Sequence, residues 1–186
     1  MHDRIDISNL LLAVVFSALG IAVPVLFHAL GLGSVFLPMY LPLAVGAFLL
    51  SRTNALMLGF FTPLFSALLT GMPPFYPPVA FIMMIQLPVF CFTISVLSHR
   101  RTGSVILPLA AAILLDRLLL VALFYFIYPL FSIDARIITL YDLLKSLPGA
   151  ALMFVVTPLA VPRCVDLLER NSLRLFEHGG GENHER

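Results

Sequence analysis

The sequence predicts an all-α integral membrane protein with six transmembrane helices. Of its 186 residues, 60% are hydrophobic and only 11% are charged, and the mean hydropathy is +1.03. These values lie far outside the range of soluble domains. Six apolar runs have lengths suited to the hydrocarbon core, which a helix of about 20 residues can cross. Proline and glycine, at 14 and 11 residues, are frequent, as membrane helices tolerate.

Short polar or proline-rich segments separate the six predicted spans. The first span is expected to break at Pro24, because proline removes a helical hydrogen bond. We place the spans at about 7–29, 35–50, 55–70, 79–97, 104–128 and 142–162. Residues 51–54 are expected to form a polar turn. Two regions follow from this division. We expect residues 1–163 to form one six-helix transmembrane domain and residues 164–186 to form a charged, partly disordered tail.

The distribution of basic residues predicts the orientation of the chain. With six spans, one face carries eight arginines and the other carries only Arg136 and Lys145. Because basic residues favour the cytoplasmic side, we expect both termini in the cytoplasm. The loops around residues 30–34, 70–78 and 129–141 then face outward. The eight arginines are Arg4, Arg52, Arg100, Arg101, Arg163, Arg170, Arg174 and Arg186.

The outward loop at 70–79 has the sequence TGMPPFYPPV, with four prolines between two apolar runs. Proline fixes φ and lacks an N–H, so this segment is expected to be a stiff, irregular loop. Irregular backbone near membrane depth persists where protein buries it or where it lines a cavity. We expect the loop to be the lid or wall of a binding site; a rigid surface connector is the alternative.

Two neighbouring charges, Asp116 and Arg117, lie near the middle of the fifth predicted span. Ionisable side chains at this depth cost about 2.5–3.5 kcal/mol, so something must offset them. Adjacent helical residues point about 100° apart. We therefore expect each to have its own partner, or Arg117 to extend toward the membrane surface while Asp116 faces the bundle. Either residue is a candidate anchor for a polar ligand group; a structural charge pair or a hinge for coupling is the alternative.

Other polar candidates lie near the outward ends of the spans. Gln86 offers a donor and an acceptor below the lid, although it could equally bond another helix. His28 could bind a ligand or simply pack between helices. Lys145, with Asp142, starts the sixth span and is a candidate ligand contact, although Asp142 could instead cap that helix.

A group of methionines and aromatic residues could form an apolar wall at the same end. Such residues are also ordinary at membrane interfaces. The group comprises Met39, Tyr40, Met72, Phe75 and Tyr76.

Three consecutive segments resemble the substrate-capture (S) components of energy-coupling factor (ECF) transporters. They read FLPMYLPLAVGAFLL (36–50), ALMLGFFTPLFSALLTGMPPFYPP (55–78) and VAFIMMIQLPVF (79–90). The likeness covers about the first 100 residues well and the remainder by topology. It implies a six-helix bundle with both termini inside, which holds a vitamin or related micronutrient near the outer face. It also implies a transmembrane coupling (T) subunit and two ATPase subunits, whose ATP hydrolysis topples the S component so that its site opens inward.

The resemblance implies a coupling contact on the first helix, through an AxxxA pattern. Ala18 and Ala22 match it, and Ala13 and Ser17 form a second small pair one turn earlier. Small residues four apart let helices approach closely in lipid. Packing within this chain is the alternative use of the same residues.

The sequence therefore predicts an S subunit of an ECF-type importer in a prokaryotic inner membrane. No catalytic motif, phosphate loop or metal-binding spacing occurs, so we expect no enzyme activity, no metal and no cofactor of its own. ATP hydrolysis would belong to the partner subunits, and no nucleic-acid partner is expected. A non-transporting six-span scaffold of the cell-shape type is the alternative, and a membrane-embedded enzyme is a third. A weakly charged, methionine-rich wall favours a bulky or weakly charged ligand.

Overall fold

The computed structural model describes residues 7–29, 31, 38–76, 78–98, 104–127, 144 and 146–181. Within these ranges the chain is helical, with six helices joined by turns and irregular segments and with no strand. The helices are α1 (Ile7–Ala29), α2 (Tyr40–Leu49), α3 (Arg52–Thr70), α4 (Val79–Ser98), α5 (Ile106–Ile127) and α6 (Leu147–Gly181).

Five of these helices are long and apolar enough to cross a membrane, which makes the chain a multi-pass membrane protein. They are α1, α3, α4, α5 and the Leu147–Leu168 part of α6, with mean hydropathies from 1.4 to 2.7. The helix α2 has only 10 residues and therefore spans about 15 Å, roughly half the hydrocarbon thickness. The sequence predicted a longer second span from residue 35, but residues 35–37 lie outside the described part.

The short helix α2 lies at the centre of the bundle, where it packs against α1, α3, α4 and α6. Leu43 and Ala47 are fully buried. Gly46 lets two neighbouring helices come close, because a Cβ there would lie 2.9 Å from side-chain atoms of both Leu58 and Phe16. Close packing of this kind is the main force that joins helices in lipid. The central position of α2 therefore ties the outer helices to one another.

The helices α3 and α4 form the most extensive pair, and their crossing depends on a glycine. A Cβ on Gly59 would lie 2.6 Å from the carbonyl carbon and oxygen of Leu87 and from Cα of Pro88. Only glycine allows this backbone-to-backbone approach. This close crossing sets the packing of α3 against α4, the two helices that the proline-rich loop connects.

The prolines within the described spans do not end their helices. The expectation that the first span breaks at Pro24 is wrong, because α1 continues from Ile7 to Ala29 with Pro24 buried. Pro63, Pro88, Pro158 and Pro162 also lie inside helices. Membrane helices tolerate proline when neighbouring helices and local adjustments satisfy the freed backbone groups.

Two helix boundaries differ from the sequence-based expectation. The helix α3 begins at Arg52, so most of the expected polar turn at 51–54 is its first turn, and Asn54 is buried. The helix α6 continues through Pro162 to Gly181. The predicted division between membrane domain and tail, at residues 163 and 164, therefore does not coincide with the end of a helix. Residues 182–186 lie outside the described part.

Candidate functional site

A half-enclosed cavity of about 500 Å³ lies at one end of the bundle. Its walls come from the C-terminal end of α1, the start of α2, the loop after α3, the start of α4 and the second half of α5, together with Ser146 just before α6. In a chain whose helices alternate in direction, all of these belong to the same end. The volume is within the range of small-molecule sites.

Apolar side chains form most of the cavity wall. On α5, Leu120 and Phe124 follow Arg117 at spacings of three and seven residues, which places all three on one helical face. On α4, Ile82 and Met83 lie one turn before Gln86. Pro38 and Met39 contribute from the turn just before α2, and Pro24 contributes from α1. The site can therefore bury an apolar molecule of moderate size.

The charged pair of α5 lies beside this cavity. Asp116 is 1% exposed and Arg117 is 17% exposed, and Arg117 lines the cavity. Asp116 Oδ2 lies 2.8 Å from a terminal nitrogen of Arg117. The contact lacks hydrogen-bond geometry, because adjacent helical residues project in different directions and the guanidinium must fold back. Asp116 and Arg117 therefore form an ion pair with each other. The expectation of separate partners did not include this contact.

Each of the two charges also has a second partner, which is one of the two arrangements that the sequence left open. Tyr40 donates its hydroxyl to Asp116 Oδ1 at 3.2 Å, and Arg117 Nη1 donates to Ser146 Oγ at 2.8 Å. Gln86 Nε2 donates to the main-chain carbonyl of Asp116 at 3.3 Å. The guanidinium also lies 5.8 Å from the centroid of the Tyr40 ring. This polar network joins α2, α4, α5 and the residue before α6 at the cavity wall.

The first half of the proline-rich loop is fastened to the end of α3. Gly71 has φ of 72°, the left-handed conformation that ends a helix, and its N–H donates to Ala67 O at 3.1 Å. Ser66 Oγ donates to Met72 O at 2.6 Å, and the N–H of Met72 donates to Thr70 Oγ1 at 3.2 Å. These bonds hold the backbone of the loop against the last turn of α3.

The other end of the loop is fastened to α4, where Ala80 N donates to Pro74 O at 3.0 Å. The peptide bond between Met72 and Pro73 is cis. Gly71, Met72, Pro73 and Pro74 all line the cavity. This half of the loop is therefore a wall of the cavity.

The structure brings six of the ten predicted ligand-binding residues to the cavity. Asp116 lies behind the wall, in contact with Tyr40 and Arg117. Phe75 and Tyr76 are 40% and 70% exposed and do not line the cavity. The six residues are His28, Met39, Tyr40, Met72, Gln86 and Arg117.

Phe75 is directed away from the cavity because it packs on Phe81, with ring centroids 5.6 Å apart, and Phe81 is on the exposed face of α4. Lys145 and Asp142 lie outside the described residues, so their predicted contacts with a ligand stay predictions. The structure shows which of the predicted residues line the cavity. Their roles in binding a ligand stay predictions.

Sequence reasoning missed several lining residues. The apolar residues of α5 could have been found, because Leu120 and Phe124 repeat at helical spacing from Arg117. Ile82 and Met83 could have been found in the same way from Gln86. Ser146 carried no such signal, because its contact with Arg117 depends on how α6 packs.

His28 lies at the rim of the cavity, near the end of α1. Its Nδ1 donates to Pro24 O at 2.9 Å, since a carbonyl oxygen can only accept. In the neutral imidazole this leaves Nε2 as a hydrogen-bond acceptor. His28 is thus a further polar group that a ligand could contact.

The four predicted partner-facing residues of α1 do not share one surface. Ala13 is buried in the core, and the Ser17 hydroxyl donates to Thr62 Oγ1 of α3 at 3.0 Å, because the one hydroxyl proton of Thr62 goes to Leu58 O at 2.7 Å. Ala18 and Ala22 are exposed on the outer side of α1. The reason is geometric, since residues 17 and 18 project about 100° apart. Internal packing uses the first pair, and only the second pair is available to a partner.

Comparisons of the chain with protein-family models, with curated proteins and with solved structures gave no match. The class of protein therefore follows from the fold and the site alone. The chain is an α-helical multi-pass membrane protein with a cavity at one end of its bundle.

Proposed function

We propose that the protein captures a small molecule from outside the cell as the S subunit of an ECF-type importer. The cavity would hold a vitamin or related micronutrient, and partner subunits would supply the energy for its delivery inward. The observation that carries the proposal is the cavity itself, walled on one side by the fastened loop 71–74. The resemblance of residues 36–90 to S components supports the importer class.

The distribution of charge supports loading from the outer face. Arg52 starts α3 and Arg163 lies in α6, both at the ends of their helices' apolar spans that are opposite to the cavity. In the sequence, Arg100 and Arg101 join α4 to α5 at that same opposite end. Because basic residues favour the cytoplasmic side, the cavity end is the outer one and both termini are cytoplasmic. In this proposal the membrane is the prokaryotic inner membrane.

Transport requires partners in this proposal. The sequence contains no phosphate-binding loop, so a T subunit and two ATPases would energise the movement of the S subunit. The exposed pair Ala18 and Ala22 is the candidate contact with the T subunit, because small side chains allow a partner helix to approach.

The alternative of a cell-shape scaffold needs no ligand pocket. A cavity of about 500 Å³ with buried polar groups at its wall is costly for a protein that only holds others together. The cavity therefore favours the binding protein over the scaffold.

Native mass spectrometry of the protein purified from its own host tests the proposal. Wild-type protein should retain one small molecule without ATP. Leu120→Trp should lose it, because Leu120 lines the cavity and indole would fill the space. Leu118→Trp is the matched control, since Leu118 is 61% exposed on the same helix and should leave binding intact. A wild-type protein with no retained molecule would contradict the proposal, and so would Leu120→Trp that still retains it.

A further inference from the structure

We propose that the cavity binds an uncharged, largely apolar molecule through one amide-like group, that is, a planar group with a carbonyl acceptor beside an N–H donor. Lactams, ureas and pyrimidinones carry such a group. The inference rests on the proposed function, because it names the chemistry of the molecule held in the same cavity. Gln86 and Arg117 are the residues that carry it.

Gln86 offers an acceptor to the cavity. Its side chain is 98% buried, since 2% is exposed, and it lines the cavity. Its Nε2 donates to the main-chain carbonyl of Asp116. The opposite orientation of the amide would place Oε1 against that carbonyl oxygen, and two acceptors cannot form a hydrogen bond. The Oε1 atom makes no hydrogen bond to any residue that the structure describes. An acceptor in this position can take a hydrogen bond from a ligand N–H in the cavity, which would stabilise the bound state.

Arg117 offers donors to the same cavity. A guanidinium has five N–H groups. Here one donates to Ser146, one faces Asp116, and the Nε–H is buried with no partner among the residues that the structure describes. The remaining two belong to the terminal nitrogens of a side chain that lines the cavity and keeps 17% of its surface exposed. A ligand carbonyl oxygen can accept from them.

The charge of the site argues against a carboxylate as the anchoring group. Arg117 is already paired with Asp116, so the two charges cancel within the described wall. A second carboxylate would approach Asp116 in a medium of low dielectric constant, where like charges repel strongly. An ionised carboxylate is also only a hydrogen-bond acceptor, so it could not donate to the Oε1 of Gln86. A neutral group that both donates and accepts satisfies Gln86 and Arg117 together.

The remainder of the ligand is apolar by the same reasoning. Above the polar groups, the wall consists of Met39, Met83, Leu120 and Phe124, with prolines 73 and 74 of the loop opposite. Desolvating an apolar body against these side chains is favourable, whereas a second polar group packed against them would lose its hydrogen bonds to water unless it reached His28 at the rim.

Three probes of similar size test this chemistry by isothermal titration calorimetry on the full chain in lipid nanodiscs. 2-Quinolone carries the lactam, N-methyl-2-quinolone lacks its N–H, and 2-naphthoate replaces the lactam with a carboxylate. We expect 2-quinolone to bind about tenfold more tightly than either of the others, the effect of one lost hydrogen bond with a buried partner. In Gln86→Leu the preference for 2-quinolone over its N-methyl form should disappear. Ile85→Leu, at an exposed position of the same helix that does not line the cavity, should keep it.

Tighter binding of 2-naphthoate, equal binding of the two quinolones, or an unchanged preference in Gln86→Leu would overturn the inference. The native molecule separates this failure from that of the proposed function. If wild-type protein retains a native molecule but 2-quinolone does not bind, the ligand chemistry is wrong and the proposed function stands. If neither binds, both are wrong.

Discussion

The hydroxyl of Tyr40 donates to Asp116 Oδ1 at 3.2 Å, which links the central helix α2 to the middle of α5. Both side chains are buried, at 3% and 1% exposure. The bond therefore places a polar contact at the junction of the cavity wall and the core. It satisfies one oxygen of a carboxylate that the surrounding lipid and protein cannot solvate.

Removing this hydroxyl should destabilise the protein without changing its shape. Tyr40→Phe leaves Asp116 Oδ1 without its donor, and we expect a loss of about 1–3 kcal/mol in the free energy of unfolding. Tyr125→Phe is the matched control, because Tyr125 is 55% exposed on α5 and should unfold as the wild type does. Thermal unfolding in detergent measures the difference. Equal midpoints for the two variants would show that the Tyr40 bond contributes nothing.

The ion pair between Asp116 and Arg117 predicts a non-additive double mutant. Arg117→Leu alone leaves a buried carboxylate without its cation, and breaking such a pair costs about 3–5 kcal/mol. Asp116→Asn combined with Arg117→Leu removes both charges, so it should be more stable than Arg117→Leu. Unfolding of the two single variants and the double variant in the same detergent gives the coupling energy. A double variant that is less stable than Arg117→Leu would contradict the pairing.

The fastening of the loop to α3 predicts local protection from hydrogen exchange. Ser66→Ala removes the bond to Met72 O, which is 2.6 Å long. The amides of Gly71, Met72, Phe75 and Tyr76 should then exchange several-fold faster, since the segment loses a link to the last turn of α3. Thr93→Ala is the control, because Thr93 Oγ1 bonds the carbonyl of Val89 within α4, away from the loop. Unchanged exchange in Ser66→Ala would show that other contacts hold the loop.

The sequence predicted the elements that depend on local pattern. Apolar length placed α1 and the start of α4 at the observed residues, because a helix in lipid needs an uninterrupted apolar run. The prolines were a weaker guide, since Pro24 ends no helix where neighbours can support the backbone. His28, Met72, Gln86 and Arg117, which the sequence offered as separate candidates, line one cavity, and their binding roles stay predictions.

The remaining features depend on tertiary packing. The ion pair between Asp116 and Arg117 depends on how the surrounding helices pack. The outward direction of Phe75 depends on its contact with Phe81 of α4. The small-residue pattern of α1 does not by itself tell an inner face from an outer one. The contact between Ser17 and Thr62 decides it, and that contact requires α3.

The exposed pair on α1 gives the sharpest test of the partner subunits. Replacing Ala18 and Ala22 together with leucine should abolish uptake in cells that contain the T subunit and ATPases, because the larger side chains prevent close approach of a partner helix. Binding of the native molecule to the purified protein should stay unchanged, since neither residue lines the cavity.

Two control substitutions separate this effect from a loss of folding. Leu10→Phe enlarges an exposed residue of α1 that projects about 100° away from the small pair, and it should leave uptake intact. Ala13→Leu should instead lower thermal stability, because Ala13 is buried in the core and an added isopropyl group would overpack it. Normal uptake by the Ala18 and Ala22 double variant would place the partner contact on a different surface, and the long exposed face of α6 would be the next to test.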